Sequence, residues 1–197
     1  PRLLGGALRH DAPDDRRRLL EIARTSMTHA VHTGVALSPD EADLNPALRA
    51  IRASFVTLHR HGTLRGCTGS LEAVQPLALD VARTACSTAL ADPRFYPVTA
   101  AELVDIDIEI SVLSPLTPMP VRDEADLTAQ LRPEVDGLVL TMGSRRATFL
   151  PKVWEQLPSA KAFVAALKRK AGLPEDFWSA GMAAWRYHTE TFAEALT

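Results

Sequence analysis

Residues 106–113, IDIEISVL, alternate without a break: Ile106, Ile108, Ile110 and Val112 fall on one side of an extended chain, and Asp107, Glu109 and Ser111 on the other. Such a segment is a strand with one apolar and one polar face, and the chain around it must supply strands to pair with it and helices to cover it. Both are legible. Residues 54–60, SFVTLHR, and 63–71, TLRGCTGSL, are β-rich runs separated by His61-Gly62, which predicts a hairpin. Pro76 can open a helix because its missing N–H is unbonded there anyway, and PLALDVARTACSTALA continues at helical spacing until Asp92-Pro93 stops it.

The order hairpin, helix, strand then recurs. GLVLTM, a Gly143-Ser144 turn and RRATFL predict a second hairpin, SAKAFVAALKRKAG a helix ending at Gly172, and WRYHTETF a last β-rich run. Upstream, Leu19, Leu20, Ile22, Ala23, Met27, Ala30 and Val31 make an amphipathic helix over 14–32 that Gly34 can stop. Pro39 and Pro46 predict a linking loop over 35–51 with a short helical turn, and the prolines of SPLTPMPV restrict that segment to a linker or sheet edge. The expected fold is therefore α+β: duplicated ββ-α-β units forming mainly antiparallel sheet flanked by helices, with room for two lobes and a cleft. We expect a single domain over 1–197, residues 1–12 flexible, with pseudo-repeats near 54–113 and 137–192.

Composition excludes more than it selects. The chain's 197 residues are 46% hydrophobic and carry a formal charge of −2 with a pI near 6.3, enough apolar content for a substantial core and no electrostatic footprint for nucleic acid. No apolar run reaches membrane-spanning length, and PRLLGGALRHDAPDD lacks a signal peptide's apolar stretch. A chain beginning at Pro1 has lost its initiator methionine or been cut from a longer one. Cys67 and Cys86 are too few for a disulfide framework or a cysteine-rich zinc site. A reducing cytoplasm is the expectation, with no metal and no cofactor.

Within LRGCTG, two glycines bracket a cysteine and a threonine, and glycine inside a strand marks a bulge or a close approach to the backbone. Cys67 is a candidate nucleophile, because Arg65 or peptide N–H groups exposed by the glycines would favour its thiolate. The alternative is a small, inert core residue. A general base is not obvious: a simple two-residue turn at His61-Gly62 sets residue 59 opposite 64 and points His59 away from Cys67, whereas a one-residue bulge reverses that result. His61 reads as a solvated turn residue, and His29 and His32, one turn apart near a helix end, lack a third metal ligand. Phosphate-loop and nucleophile-elbow motifs are absent from the sequence. Asp92-Pro93-Arg94-Phe95, Glu109 and Arg145-Arg146 each admit a plain reading, as a turn, a solvated acid and a solvent-facing pair.

Taken in order, LRGCTG, ADPRFYPVTAAEL, IEISVLSP, GLVLTMGSRRATFLPKVWEQLP and KAFVAALKRKAGLP resemble the AMMECR one domain, also called the AmmeMemoRadiSam system protein A family. The resemblance runs from about the N-terminal helix to Phe192. Thr68 stands where the family pattern LRGCIG has isoleucine, and Tyr96 precedes Pro97. The resemblance implies a duplicated ββ-α-β fold, and a functional surface at Arg65, Gly66, Cys67 and Gly69, with Asp92, Arg94 and Arg146 as further candidates. It implies Memo-like and radical SAM proteins as partners, and it supplies no enzyme class.

Two functional expectations follow. In the first, Cys67 is nucleophile or covalent handle in a small-molecule or residue-modifying site, substrate being bound by Arg65, Gly66, Thr68, Gly69, Asp92, Arg94 and Arg146, with the arginines taking an anionic group. In the second, the domain is a non-catalytic module that docks on a partner, Gly66 and Gly69 permitting close approach. A nucleic-acid role ranks third because the charge balance opposes it.

Overall fold

The computed structural model describes residues 13–194, so the expectation of flexibility over 1–12 lies outside them. The fold is α+β, with two four-stranded sheets in two compact units, one running to Ser114 and resuming at Glu190, the other Pro115–Thr189. Among the described residues no helix is long and apolar enough to cross a membrane.

The first unit opens with α1 (Pro13–Thr33) and a four-residue α2 (Pro46–Arg49), capped by the Asn45 side chain, which accepts the Leu48 N–H. β1 (Ser54–Arg60) and β2 (Thr63–Gly69) form the expected hairpin; His61 and Gly62 both have positive φ, 50° and 73°, the twist that a two-residue hairpin loop requires. Then come α3 (Leu77–Leu90) and β3 (Ile106–Leu113). The sheet order is β2-β1-β3-β8, where β8 (Thr189–Ala193) is the last strand of the chain. The alternation of β3 has its expected consequence: Ile106, Ile108, Ile110 and Val112 join Val56 and Leu58 of β1 in a core closed by α1 and α3. α3 contributes mainly alanines, Ala78, Ala82, Ala85 and Ala89, and small side chains let a helix lie close to a sheet.

The second unit repeats the order. β4 (Thr117–Met119) is the short edge strand that the prolines of SPLTPMPV allow, and α4 (Glu124–Gln130), capped by Asp123, follows. β5 (Gly137–Met142) and β6 (Arg145–Phe149) are the second hairpin, α5 (Ala160–Lys170) the helix, and β7 (Met182–Tyr187) the strand, in sheet order β4-β7-β5-β6. Its core centres on Trp154, stacked on Phe163 at 3.9 Å with its indole N–H donated to the Asp136 carbonyl at 2.7 Å.

The run WRYHTETF, read as one β segment, is two strands in two sheets: β7 ends at Tyr187, His188 intervenes, and β8 lies beside β3 of the first unit. Periodicity does not reveal such a crossover, because both halves keep extended geometry and only their pairing partners change.

Candidate functional site

β2 is an edge strand, and an edge strand leaves every second N–H and C=O facing away from its neighbour. At Cys67 both groups are taken up by side chains. The Cys67 N–H donates to Asp92 Oδ2 at 2.9 Å, and an Arg94 guanidinium N–H donates to the Cys67 carbonyl at 2.9 Å. Asp92 and Arg94 are locked to each other by Nη2 to Oδ2 at 2.7 Å and Nε to Oδ1 at 3.0 Å, and the Arg94 N–H donates to Asp92 Oδ1 at 3.1 Å. The DPRF turn after α3 thus does for one residue what a fifth strand would do for the whole edge. The Arg94 guanidinium, helped by the Cys67 N–H, holds the Asp92 carboxyl well below the usual carboxylate range.

Arg65 ties the next stretch of chain to the same strand. Its guanidinium donates to both Glu102 oxygens, at 2.9 and 3.2 Å, while Glu102 closes a capping box by accepting the N–H and hydroxyl of Thr99 at 2.9 and 3.0 Å. The Phe95 ring sits within 5.9 Å of the Arg65 and 5.5 Å of the Arg94 guanidinium carbon. LRGC and DPRFYPVTAAEL are therefore one folded unit, and Arg65 and Arg94 each face a carboxylate of the chain itself. Arg65 and the Thr99 donors pull the Glu102 pKa down to about 2. A carboxyl depressed on folding contributes stability that is complete above its unfolded pKa, near 4.5, and is lost as pH falls toward the folded value. We expect the melting temperature to drop between pH 5 and about 3, and the drop to be shallower in Glu102→Gln, as thermal melts against pH would show.

The glycines of LRGCTG answer to the chain's own packing. A Cβ on Gly66 would stand 2.9 Å from the Thr88 carbonyl oxygen of α3, and one on Gly69 2.5 Å from the Ser54 carbonyl oxygen of β1. Thr68 also turns toward α3, its hydroxyl 2.6 Å from that of Thr88 and 3.5 Å from the Thr84 carbonyl. It is beside Cys67 in sequence and on the opposite face of the strand.

The thiol points the other way because of a bulge. Leu58 pairs with Gly66 but His59 with Leu64, so Arg65 is an extra residue in β2, and the shift sets Thr57 opposite Cys67. Thr57 donates its hydroxyl to Cys67 Sγ at 3.3 Å. Across β1 the same Thr57 pairs with Glu109, and His59 pairs with Asp107 one step along, so one face of the sheet carries the row Cys67, Thr57, Glu109 beside the row His59, Asp107. These side chains are half-buried. The bulge places His59 on the thiol's face, the result left open from sequence, yet the hydrogen-bond donor at sulfur is Thr57. The role of Thr57 depends on register, and the sequence signals that register only by an Arg-Gly pair inside a strand.

The sequence-derived candidates thus divide. Arg65, Gly66, Cys67, Thr68, Gly69, Asp92 and Arg94 come together at β2, whereas Arg146 stands on β6 of the second unit, opposite Thr141. Among the described residues no group of three or more His, Cys, Asp or Glu side chains is arranged to hold a metal ion.

The chain is similar to known proteins in both sequence and fold. A protein of Methanothermobacter thermautotrophicus is 39% identical over 188 residues, covering 92% of this chain and 95% of that one. A protein of Thermotoga maritima is 35% identical over 164 residues, 82% of this chain and 89% of its own. The crystal structure of an uncharacterized protein from Pyrococcus horikoshii superposes with a TM-score of 0.83 at 30% identity, covering 89% of each chain. The AMMECR1 family profile matches residues 20–192, a span that takes in nearly the whole described fold and the Cys67 cluster within it, and the chain belongs to the AMMECR1 family.

Proposed function

We propose that Cys67 is the reactive group of a site on the polar face of the first sheet, acting as nucleophile or covalent handle toward a small molecule or a modified residue. The observation that carries this reading is the Thr57 hydroxyl donated to Cys67 Sγ, since a hydroxyl aimed at sulfur stabilises the negative charge of the attacking form. The rows beyond it supply acid and base: Glu109 lies two strands over on the same row, and His59 and Asp107 pair on the next. Arg65 and Arg94 serve this site by fixing the strand rather than by binding substrate, because each is matched by a carboxylate. Memo-like and radical SAM proteins are the partners with which the site would work.

The test is differential alkylation. Iodoacetamide at neutral pH should label Cys67 faster than Cys86, whose thiol is pushed up by burial, and Thr57→Val should slow the Cys67 reaction by roughly three- to tenfold, the worth of one hydrogen bond. Slower labelling of Cys67 than of Cys86 in the folded protein would sink the nucleophile.

A second reading, a docking module without chemistry, draws on Tyr96 and Val104, which are 90% and 89% exposed in the segment that Arg65 and Arg94 anchor. Cys67→Ser separates the two in a system reconstituted with both partners. Retained partner binding with lost activity supports the reactive thiol, and full activity removes the need for it.

A further inference from the structure

The cavity at the C-terminal end of β2 lies apart from the thiol. It has a volume of about 270 Å³, and its lining includes Gly69, Ser70, Glu72, Asp80, Arg83 and Ser87. Arg83 and Ser87 are four residues apart on α3 and so share one helix face, and both are exposed. Arg83 makes no hydrogen bond or ion pair with any described residue, in contrast to Arg65 and Arg94.

The remaining donors converge from the strand. The Cys67 N–H points out from the sheet edge and the Ser70 N–H points in, donating to the Ser54 carbonyl at 3.3 Å. Alternation therefore turns the Gly69 N–H outward, on the side of the cavity. Ser70 Oγ accepts the Glu72 N–H at 3.0 Å, which uses a lone pair and leaves its hydroxyl proton for another partner.

Of the two acids in the lining, Asp80 is already engaged within the fold. Asp80 is buried and its oxygens are already met by the Ser54 N–H at 2.8 Å, the Ser54 hydroxyl at 2.6 Å and the Gln75 amide at 3.1 Å. The lining thus offers the Arg83 guanidinium fork, two hydroxyls and an outward peptide N–H, a donor set suited to a group with several acceptor oxygens, alongside the exposed Glu72 carboxylate.

We infer that this cavity is a binding site for the oxyanion of a small molecule, a carboxylate or phosphoryl group, held by Arg83 with Ser70, Ser87 and the Gly69 N–H. Thr68 and Gly69 belong to the string that holds Cys67, but the cavity lies on the helix side and the thiol on the other. The inference is independent of the reactive-thiol reading.

The test uses the isotope-labelled whole chain, titrated separately with inorganic phosphate and with acetate at ionic strength held constant with chloride. The amide signals of Gly69, Ser70 and Ser87 should shift saturably, and Arg83→Gln should weaken the response at least about tenfold while melting like the parent chain, as expected for an exposed side chain. Saturation by phosphate alone assigns a phosphoryl group and by acetate alone a carboxylate. Shifts that grow without saturation for both anions, or that are equal in Arg83→Gln, overturn the proposal. Cys67→Ser should bind as the parent chain does, so a failure of the thiol reading leaves this result standing.

Discussion

Gly69→Ala is expected to destabilise the protein by about 1–3 kcal/mol, the range for forcing an atom into a packed site that cannot yield. The new Cβ would meet Phe55 Cγ at 2.4 Å and the Ser54 carbonyl oxygen at 2.5 Å. Phe55 is a half-buried side chain and can rotate in part. Ser54 cannot follow: its carbonyl accepts the Ser70 N–H, and its own N–H and hydroxyl are held by the buried Asp80. Relief must therefore come from parting β1 and β2. Gly66→Ala should cost less, because its contacts, 2.9 Å to the Thr88 carbonyl and 3.0 Å to Thr88 Cγ2, are looser. Urea unfolding at neutral pH measures both, and a Gly69→Ala midpoint equal to that of the parent chain would show that the edge of the sheet is slack.

Asp92→Ala is the second large effect, at about 2–3 kcal/mol, because hydrogen bonds to a charged group are lost together and a backbone donor is stranded. The carboxylate is nearly enclosed, and it accepts from Cys67 and from two nitrogens of the Arg94 side chain. The Arg94 side chain is 53% exposed, so its freed charge can turn to water, which keeps the loss below that of a fully buried pair. Hydrogen exchange gives the specific signature: the Cys67 amide should lose protection in Asp92→Ala while that of Ile108, which donates to the Glu194 carboxylate and not to the DPRF turn, keeps it. Asp92→Asn should fall between, since one amide oxygen still accepts. Unchanged protection at Cys67 would mean that the DPRF turn does not hold the strand edge.

The two variants act on the same few residues, and they recast the LRGCTG and DPRF strings. Their glycines, aspartate and arginines look, in one dimension, like a binding site. In the fold they build a strand edge: Gly66 admits α3, Gly69 admits β1, Asp92 and Arg94 close the edge, and Arg65 with Glu102 fastens the following loop. Cys67 is left as the residue of the string whose side chain enters the polar face, where, among the described residues, Thr57 is its hydrogen-bond donor.

Much of the fold was legible because it follows from periods that the chain displays openly. The alternation of 106–113, the His61-Gly62 turn and the helical spacing after Pro76 each depend on neighbours a few residues away, so a strand, a hairpin and a helix could be read from them and are present. α4 escaped, being a helix of one to two turns with only Leu127 fully inward, too short for a period to register.

What tertiary structure alone decided is who pairs with whom. The bulge at Arg65 moved Cys67 from opposite Val56 to opposite Thr57, and with it onto the face of His59 and Glu109. The division of WRYHTETF gave its two halves to different sheets. The reason is the same in both cases. Amino-acid order fixes which face of a strand is apolar, but register and partner depend on a free-energy difference between whole arrangements, and a single inserted residue reverses every contact beyond it. The sequence by itself determined that LRGCTG matters to this α+β fold, and the tertiary structure determined that most of it serves the strand while Cys67 and Thr57 face outward from it.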